Sequence, residues 1–107
     1  MDTITLTLHK KWFDLILSDE KTEEYREIKP YWVRRLIGNY QQYNDGSVFY
    51  RGDYMMPFGV SRIRFRNGYA KDAREMIVEW LGISVGAPNP NWCDHADIGR
   101  ILFCLKL

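Results

Sequence analysis

The sequence predicts one small α+β domain, in which two short helices accompany a mixed, mainly antiparallel sheet that curls into a small β-barrel. The 107 residues, 46% hydrophobic and 27% charged, suit one globular domain with a single core. The periodic segments run strand, helix, strand, helix and then three or more strands. Loops too short for crossover helices join the late strands, so these strands should pair antiparallel.

The first half of the chain alternates strands with helices. Residues 3–8 alternate apolar and threonine side chains, which predicts a strand with one buried face. From Lys10 the apolar residues follow a helical period, which predicts a short amphipathic helix. Its apolar face holds Trp12, Phe13, Ile16 and Leu17. Residues 21–28 return to a charged strand, and Pro30 fits the first turn of a second helix that ends near Gly38.

The second half is predicted to consist of strands and turns. Alternation of apolar and polar residues indicates the strands, and Gly, Pro, Asn and Asp mark the connections. The predicted strands cover residues 47–50, 60–66, 75–85 and 101–107, and the predicted turns or loops cover 44–46, 51–57, 67–68 and 86–97.

Composition limits the function classes. The formal net charge is +1, so a nucleic-acid site must rest on local clusters of charge. The two cysteines, Cys93 and Cys104, are too few for a disulfide framework. No apolar run approaches the roughly 20 residues that span a bilayer. We therefore expect a cytoplasmic protein with reduced thiols, no signal peptide, no membrane contact and no cofactor.

The segment from Lys21 to Arg26 is the first candidate site. It leads from the end of a helix into a strand, where Glu24 and Arg26 project from the same face and Lys21 stands at the entrance. A carboxylate flanked by two cations can position a polar ligand. The plainer interpretation is a solvated, salt-bridged strand, because exposed charge pairs are common and contribute little. Spacing alone favours that plainer interpretation.

The pattern Lys21-x-x-Glu24-x-Arg26, placed after a strand and a short amphipathic helix, resembles the signature of the ASCH domain family within the PUA-like superfamily. That signature begins with Gly where this chain has Asp19, which tolerates a left-handed helix end less well than Gly does. The likeness continues through residues 29–32, which resemble small bacterial and phage members, and then fades. It implies a PUA-like barrel with a cleft that is floored by the motif strand.

The resemblance also implies a ligand class. Most ASCH members are inferred to bind RNA, so the expected partner is RNA, single-stranded nucleic acid or a nucleotide-derived molecule. Lys21 and Arg26 would meet phosphate or carbonyl groups, and Glu24 would accept a hydrogen bond from a base or fix Arg26. The expected ligand-binding residues are Lys21, Glu24, Arg26, Tyr31, Trp32 and Arg64.

An enzymatic alternative comes from the same resemblance. A few similar single-domain proteins are amidohydrolases that remove the acetyl group from 4-acetylcytidine, and one relative is described as a ribonuclease. The amidohydrolases use a Lys and a Thr; Lys21 matches the Lys, but Glu24 stands at the Thr position. In a hydrolase, Lys21 would be the general base and Glu24 would orient water. The sequence leaves open whether the chain is an enzyme.

A stripe of arginines forms a second candidate site. Arg62, Arg64 and Arg66 share one face of a predicted strand at a spacing of about 7 Å, close to the phosphate repeat of an extended single strand. They could form a backbone track, helped by Arg34 and Arg35. In the plainer interpretation they pair with acidic side chains of neighbouring strands. The candidate partners are Glu23, Glu27, Glu75 and Glu79.

The remaining candidates are weaker. Tyr31 and Trp32, beside the motif strand, are the best candidates for stacking on a base. The loop that holds Cys93 and His95 offers too few ligands for a structural zinc ion, so no metal site is expected. The apolar segment 54–58 could instead mark a protein interface of a phage or mobile-element accessory protein.

Overall fold

The computed structural model describes residues 2–45, 47–49 and 55–107. Within them lie two α-helices, α1 (Lys10–Leu17) and α2 (Pro30–Leu36). The strands are β1 (Thr3–Leu8), β2 (Glu23–Arg26), β3 (Gln41–Gln42), β4 (Val48–Phe49), β5 (Arg62–Asn67), β6 (Glu75–Glu79), β7 (Gly82–Gly86) and β8 (Leu102–Lys106). The loop before β8 contains two 3₁₀ turns, Pro90–Trp92 and His95–Asp97.

The strands form two three-stranded sheets and one short ribbon. One sheet has the order β1-β5-β6, the other has the order β2-β8-β7, and β3 pairs with β4. Only the β1–β5 pair is parallel among the described strand pairs, with Thr5 opposite Arg64. The predicted α+β class and the antiparallel pairing of the late strands are therefore confirmed. No strand pair joins the two larger sheets in the described part of the chain, so no closed barrel is found there.

The main hydrophobic core is built by strands of both larger sheets and the two helices, and a smaller cluster holds Tyr25, Leu102 and Cys104. The strand alternation predicts the members of the main core in β1 and β5, where Leu6, Leu8, Ile63 and Phe65 are buried. The helices and the last strand supply the other main members: Trp12, Phe13, Ile16, Val33, Leu36, Phe103 and Leu105. Each such side chain stabilises the fold by about 1.5–3 kcal/mol relative to an exposed one.

The single strand predicted over residues 75–85 is wrong, because β6 and β7 are separate strands in different sheets. Trp80 lies between them, is buried, and donates its indole N–H to the Gly82 carbonyl at 2.9 Å. The sequence alternation predicts Ile77, Leu81, Ile83 and Val85 on the inward face of that strand, but Ile77 and Leu81 are 51% and 68% exposed. Residues 76, 78 and 80 alternate equally well and are the ones that pack inward.

Smaller differences follow from local geometry. Leu17, predicted on the buried face of α1, is the last residue of the helix and is half exposed. The β3 strand carries no apolar alternation and was not predicted. Met55 and Phe58 are exposed as the predicted interface loop requires, whereas Tyr54 lies outside the described residues, as do Gly46 and residues 50–53.

The end of α2 approaches the chain after residue 54 closely. The Gly38 N–H donates to the Met55 carbonyl at 2.7 Å. A Cβ atom at Gly38 would lie 2.5 Å from the Met56 carbonyl oxygen, well inside van der Waals contact. The glycine that the sequence suggests as a helix stop is therefore also required by this contact. Among the residues that the structure covers, no helix is both long and apolar enough to cross a membrane.

Candidate functional site

The end of α1 fixes the position of Lys21. Asp19 adopts the left-handed conformation, with φ at 64°, and its N–H donates to the Ile16 carbonyl at 3.1 Å. The Glu20 N–H donates to the Leu15 carbonyl at 3.0 Å, which completes a Schellman ending. The Lys21 N–H donates to the same carbonyl at 3.0 Å. The chain thus reverses within three residues and leads directly into β2.

The Lys21 side chain is fully buried. Its Nζ atom lies 3.2 Å from Glu24 Oε1 and donates to the Trp92 carbonyl oxygen. The same Nζ stands 4.6 Å from the ring centroid of Tyr25 and 5.0 Å from that of Trp12. Burial lowers the pKa of Lys21, although the charge of Glu24 opposes that shift.

Glu24 joins the two cations of the motif. Its side chain is almost fully buried; Oε1 faces Lys21, and Oε2 accepts a hydrogen bond of 2.5 Å from Arg26. A buried carboxylate needs such partners, because an unpaired charge away from water is very unfavourable. The solvated, salt-bridged strand of the plainer interpretation therefore does not describe this segment: the ion pairs are those of a buried network.

Arg26 extends this network to the edge of the other sheet. Its guanidinium donates to the Tyr25 carbonyl at 2.7 Å and to the Thr7 carbonyl of β1 at 3.1 Å. The Cζ atom lies 5.1 Å from the ring centroid of Trp32. Arg26 thus spans the gap between β2 and β1 where no strand pairing joins them.

Arg35 of α2 makes the matching contacts one step along β1. It donates to the Thr5 carbonyl at 3.1 Å and to the Tyr31 hydroxyl at 3.2 Å. Its Cζ atom is 5.6 Å from the ring centroid of Trp32. The sequence predicts Arg35 only as a helper of the β5 stripe. The signal for its position at the cleft is the four-residue spacing from Tyr31, which puts both side chains on one helix face.

These residues border an open cleft of about 490 Å³ between the β1 edge, β2, α2 and the loop before β8. Its aromatic and ionisable lining residues are His9, Trp12, Glu24, Tyr25, Arg26, Tyr31, Trp32, Arg35, Tyr69, Trp92, Cys93, Asp94 and Asp97. A smaller hollow of about 290 Å³ adjoins it past Arg26 and Trp32. Tyr31 and Tyr69 are 50% and 89% exposed, so their rings are open to a ligand.

The structure brings four of the six expected ligand-binding residues to this cleft, namely Glu24, Arg26, Tyr31 and Trp32. Lys21 lies behind Glu24 and does not line the cleft wall. Arg64 does not line it either, since it stands on β5, where its Nε atom is 3.9 Å from Glu75.

The arginine stripe of β5 is largely neutralised by neighbours. Arg62 pairs with Asp2, and Arg66 approaches Glu75 to 2.8 Å. Arg64 lies near the same Glu75, so two carboxylates serve the three arginines of the stripe. The plainer interpretation of the stripe therefore agrees with the structure better than a phosphate track does.

The loop before β8 forms the acidic side of the cleft. Asp97 is held by Arg100 at 2.8 Å, and Asp94 and Cys93 stand nearby. Burial raises the pKa of the Cys93 thiol, which disfavours the reactive thiolate. Within residues 2–45, 47–49 and 55–107, no group of three or more His, Cys, Asp or Glu side chains is arranged to hold a metal ion.

Comparison of the chain with protein-family models, curated proteins and solved structures finds no match.

Proposed function

We propose that this chain binds single-stranded nucleic acid, RNA foremost, or a nucleotide-derived ligand in the cleft above the Lys21–Glu24–Arg26 network. The observation that carries the proposal is the buried network itself. Lys21 and Glu24 hold Arg26 at the floor of an open cleft, beside the aromatic rings of Trp32 and Tyr31. Preorganised guanidinium groups bind phosphate, and exposed rings stack on bases.

The charges that line the cleft favour a ligand that carries both anionic groups and hydrogen-bond donors. Arg26 and Arg35 line the cleft together with Asp94 and Asp97, so both cationic and acidic groups face a ligand there. Nucleotides combine anionic phosphates with bases that carry N–H donors, which the aspartates would accept. A uniformly anionic ligand would be repelled by the acidic side.

We also propose that the chain is a divergent ASCH-type, PUA-like domain whose two sheets form an open barrel. The order of β1, α1, β2 and α2, the motif on β2 and the cleft floored by that strand all support it. Interstrand NOEs measured by NMR on the labelled protein test the barrel. Side-chain contacts across the gaps, such as Arg26 with Thr7, are expected without backbone pairing, and their absence would contradict this assignment.

Titration with short single-stranded RNAs, followed by tryptophan fluorescence, tests the binding function. Trp12, Trp32 and Trp92 line the cleft, so we expect a saturable change in emission. Arg26→Ala should weaken binding at least tenfold, because a charge-assisted contact contributes about 1.5–3 kcal/mol. Arg34→Ala is the matched control, since Arg34 is exposed and does not line the cleft. Equal affinity of both variants, or no binding by the wild type, would refute the proposal.

A small hydrolase acting on a modified nucleoside or on RNA is the second candidate. The observation in its favour is the buried Lys21, whose lowered pKa suits a general base. Its full burial behind Glu24 weighs against it, because a base must reach the proton that it removes. Incubation with 4-acetylcytidine and with RNA, compared with Lys21→Met, decides the matter. Turnover by the wild type alone would favour the enzyme, and no turnover by either would leave the binding function.

A further inference from the structure

We propose that the cleft recognises two consecutive nucleotides of a single strand, with one phosphate at Arg35 and the next at Arg26. This inference rests on the proposed function and deepens it. It assigns Arg35 as a ligand-binding residue and names a ligand with two phosphates, rather than a nucleoside or a mononucleotide. Three observations carry it: the spacing of the two arginines, their net charge and the position of Trp32.

The spacing follows from the edge of β1. The carbonyls of Asp2 and Leu8 accept hydrogen bonds from the β5 side, so the alternate carbonyls of Thr5 and Thr7 point to the opposite edge. Arg35 binds the first of these and Arg26 the second, each at 3.1 Å. Carbonyls two residues apart on a strand are separated by about 7 Å. The two guanidinium groups are therefore held about one phosphate repeat of an extended single strand apart.

The charge favours two anions at these positions. Arg35 has no carboxylate within ion-pair distance among the residues described, so its whole charge is available. Arg26 shares Glu24 with Lys21, and this buried trio carries one net positive charge. The β1 edge thus presents two net positive charges. A mononucleotide has one phosphate group, which can contact only one of two guanidinium groups that stand about 7 Å apart.

Trp32 lies beside both guanidinium groups. Its ring centroid lies 5.1 Å from Cζ of Arg26 and 5.6 Å from Cζ of Arg35, and Tyr31 meets it edge-on at 4.8 Å. The sugar that joins the two phosphates would carry its base over this aromatic surface. Asp94, which also lines the cleft, suits an exocyclic amino group of that base and not a further phosphate.

Calorimetric titration with four RNA probes tests the inference: a 5′-phosphorylated dinucleotide, the same dinucleotide without the 5′-phosphate, a 5′-mononucleotide and a nucleoside. We expect the phosphorylated dinucleotide to bind at least tenfold more tightly than each of the others. Arg35→Gln should abolish that preference, and the slope of log K against log salt should fall by about 0.7, the value for one phosphate contact on a single strand. Arg34→Gln, on the same helix but outside the cleft, should change neither.

Circular dichroism of each variant checks that it is folded. Arg35→Lys separates the charge of Arg35 from the geometry of its guanidinium group. The lysine variant retains the charge, so it should keep most of the salt dependence even if affinity falls. If the mononucleotide binds as tightly as the phosphorylated dinucleotide, or if Arg35→Gln behaves like Arg34→Gln, the two-phosphate inference is overturned while nucleotide binding itself stands. If none of the probes and no longer RNA binds the wild type, the proposed function fails and the inference fails with it.

Discussion

Lys21 keeps an ammonium group where water does not reach it. The Glu24 carboxylate, the Trp92 carbonyl and the faces of two aromatic rings replace the lost hydration. These partners offset the desolvation of the charge only in part, since the pKa of Lys21 is still lowered by burial. The residue therefore acts in this site by holding Glu24, which in turn orients Arg26.

The pH dependence of stability should reveal this burial. Because the folded state has the lower pKa, the unfolded chain binds the Lys21 proton more tightly. The free energy of unfolding should thus rise with pH, from the folded-state pKa of Lys21 up to the ordinary lysine pKa of 10.5. Tyr25 has a raised pKa and opposes this trend at high pH. The difference between wild type and Lys21→Met, measured by urea unfolding from about pH 8 to 10.5, isolates Lys21. The free energy of unfolding of the wild type, relative to that of Lys21→Met, should increase over this range. No increase would contradict the burial of Lys21.

Glu24 and Lys21 should be strongly coupled in stability. Glu24→Gln leaves the buried ammonium without its carboxylate, and we expect a loss of about 3 kcal/mol or more. Lys21→Met leaves Glu24 paired with Arg26 and should cost about 1–3 kcal/mol. The double variant should lose at least 1 kcal/mol less than the two single losses combined. Urea unfolding of the wild type, the two single variants and the double variant measures the coupling. If the two losses simply add, Lys21 and Glu24 do not stabilise each other as described.

The cluster of Lys21, Glu24 and Arg26 could be predicted from the sequence, but its burial could not. The spacing of Lys21, Glu24 and Arg26 on a helix-to-strand junction is local and was read correctly as one group. Burial of Lys21 depends on the loop that carries Trp92, which is 71 residues away in the chain. Arg35 likewise reaches the cleft by contacting the Thr5 carbonyl, 30 residues distant. Such contacts leave no periodic signal in the sequence.

At the scale of elements, the end of α1 is the first feature open to a test. Asp19 adopts a left-handed conformation that costs a residue with a side chain more than it costs glycine. Asp19→Gly should therefore raise the free energy of unfolding by about 0.5–1 kcal/mol, and Asp19→Val should lower it. Thermal and urea unfolding measure both variants. If the Gly variant were less stable than the wild type, the Schellman ending would not describe this turn.

The contact of α2 with the segment after residue 54 gives a second test. Gly38→Ala would force a methyl group against the Met56 carbonyl and the Pro57 Cα atom, 2.5 Å and 3.1 Å away. We expect a loss of about 1–3 kcal/mol. Gly86→Ala is the control, because a Cβ atom at Gly86 meets nothing within 4 Å. A similar effect of both substitutions would show that the close approach does not matter.

Strand periodicity predicted most elements but could not resolve residues 75–85. Ile77 and Leu81 fit one alternation, and Met76 with Val78 fit the other. The local pattern favours both alternations equally. Trp80, directly after β6, is buried in the core, and the residues in phase with it are the ones that face inward. A change of sheet between β6 and β7 is a tertiary event, so a single long strand was the wrong prediction.

At the scale of the whole molecule, the gap between the two sheets is the feature that makes the cleft. Strand partners such as β1 with β5 are set by contacts far apart in sequence, and a periodic pattern predicts strands without naming their partners. The α+β class could therefore be predicted, whereas closure of the barrel could not. In a closed sheet β1 would pair with β2. Here the side chains of Arg26 and Arg35 bind the outward carbonyls of β1 instead.

Removing both arginines should increase self-association. β1 is an edge strand of its sheet in the described structure, and its outward carbonyls are covered by Arg26 and Arg35. Uncovered edges pair with strands of other molecules. We expect Arg26→Ala/Arg35→Ala to form larger species in light scattering at concentrations where Arg34→Ala does not. A double variant that scatters like the control would show that the edge needs no cover.

The covered edge of β1 links ligand capture to solubility. The same two guanidinium groups that would meet a ligand also cover two outward carbonyls of this strand edge. A ligand that draws them away from the Thr5 and Thr7 carbonyls must itself cover those carbonyls while it is bound. Substitutions that abolish binding by removing the arginines would therefore carry a second penalty in aggregation. Selection against insoluble protein would then preserve these two arginines even under conditions in which the ligand is absent.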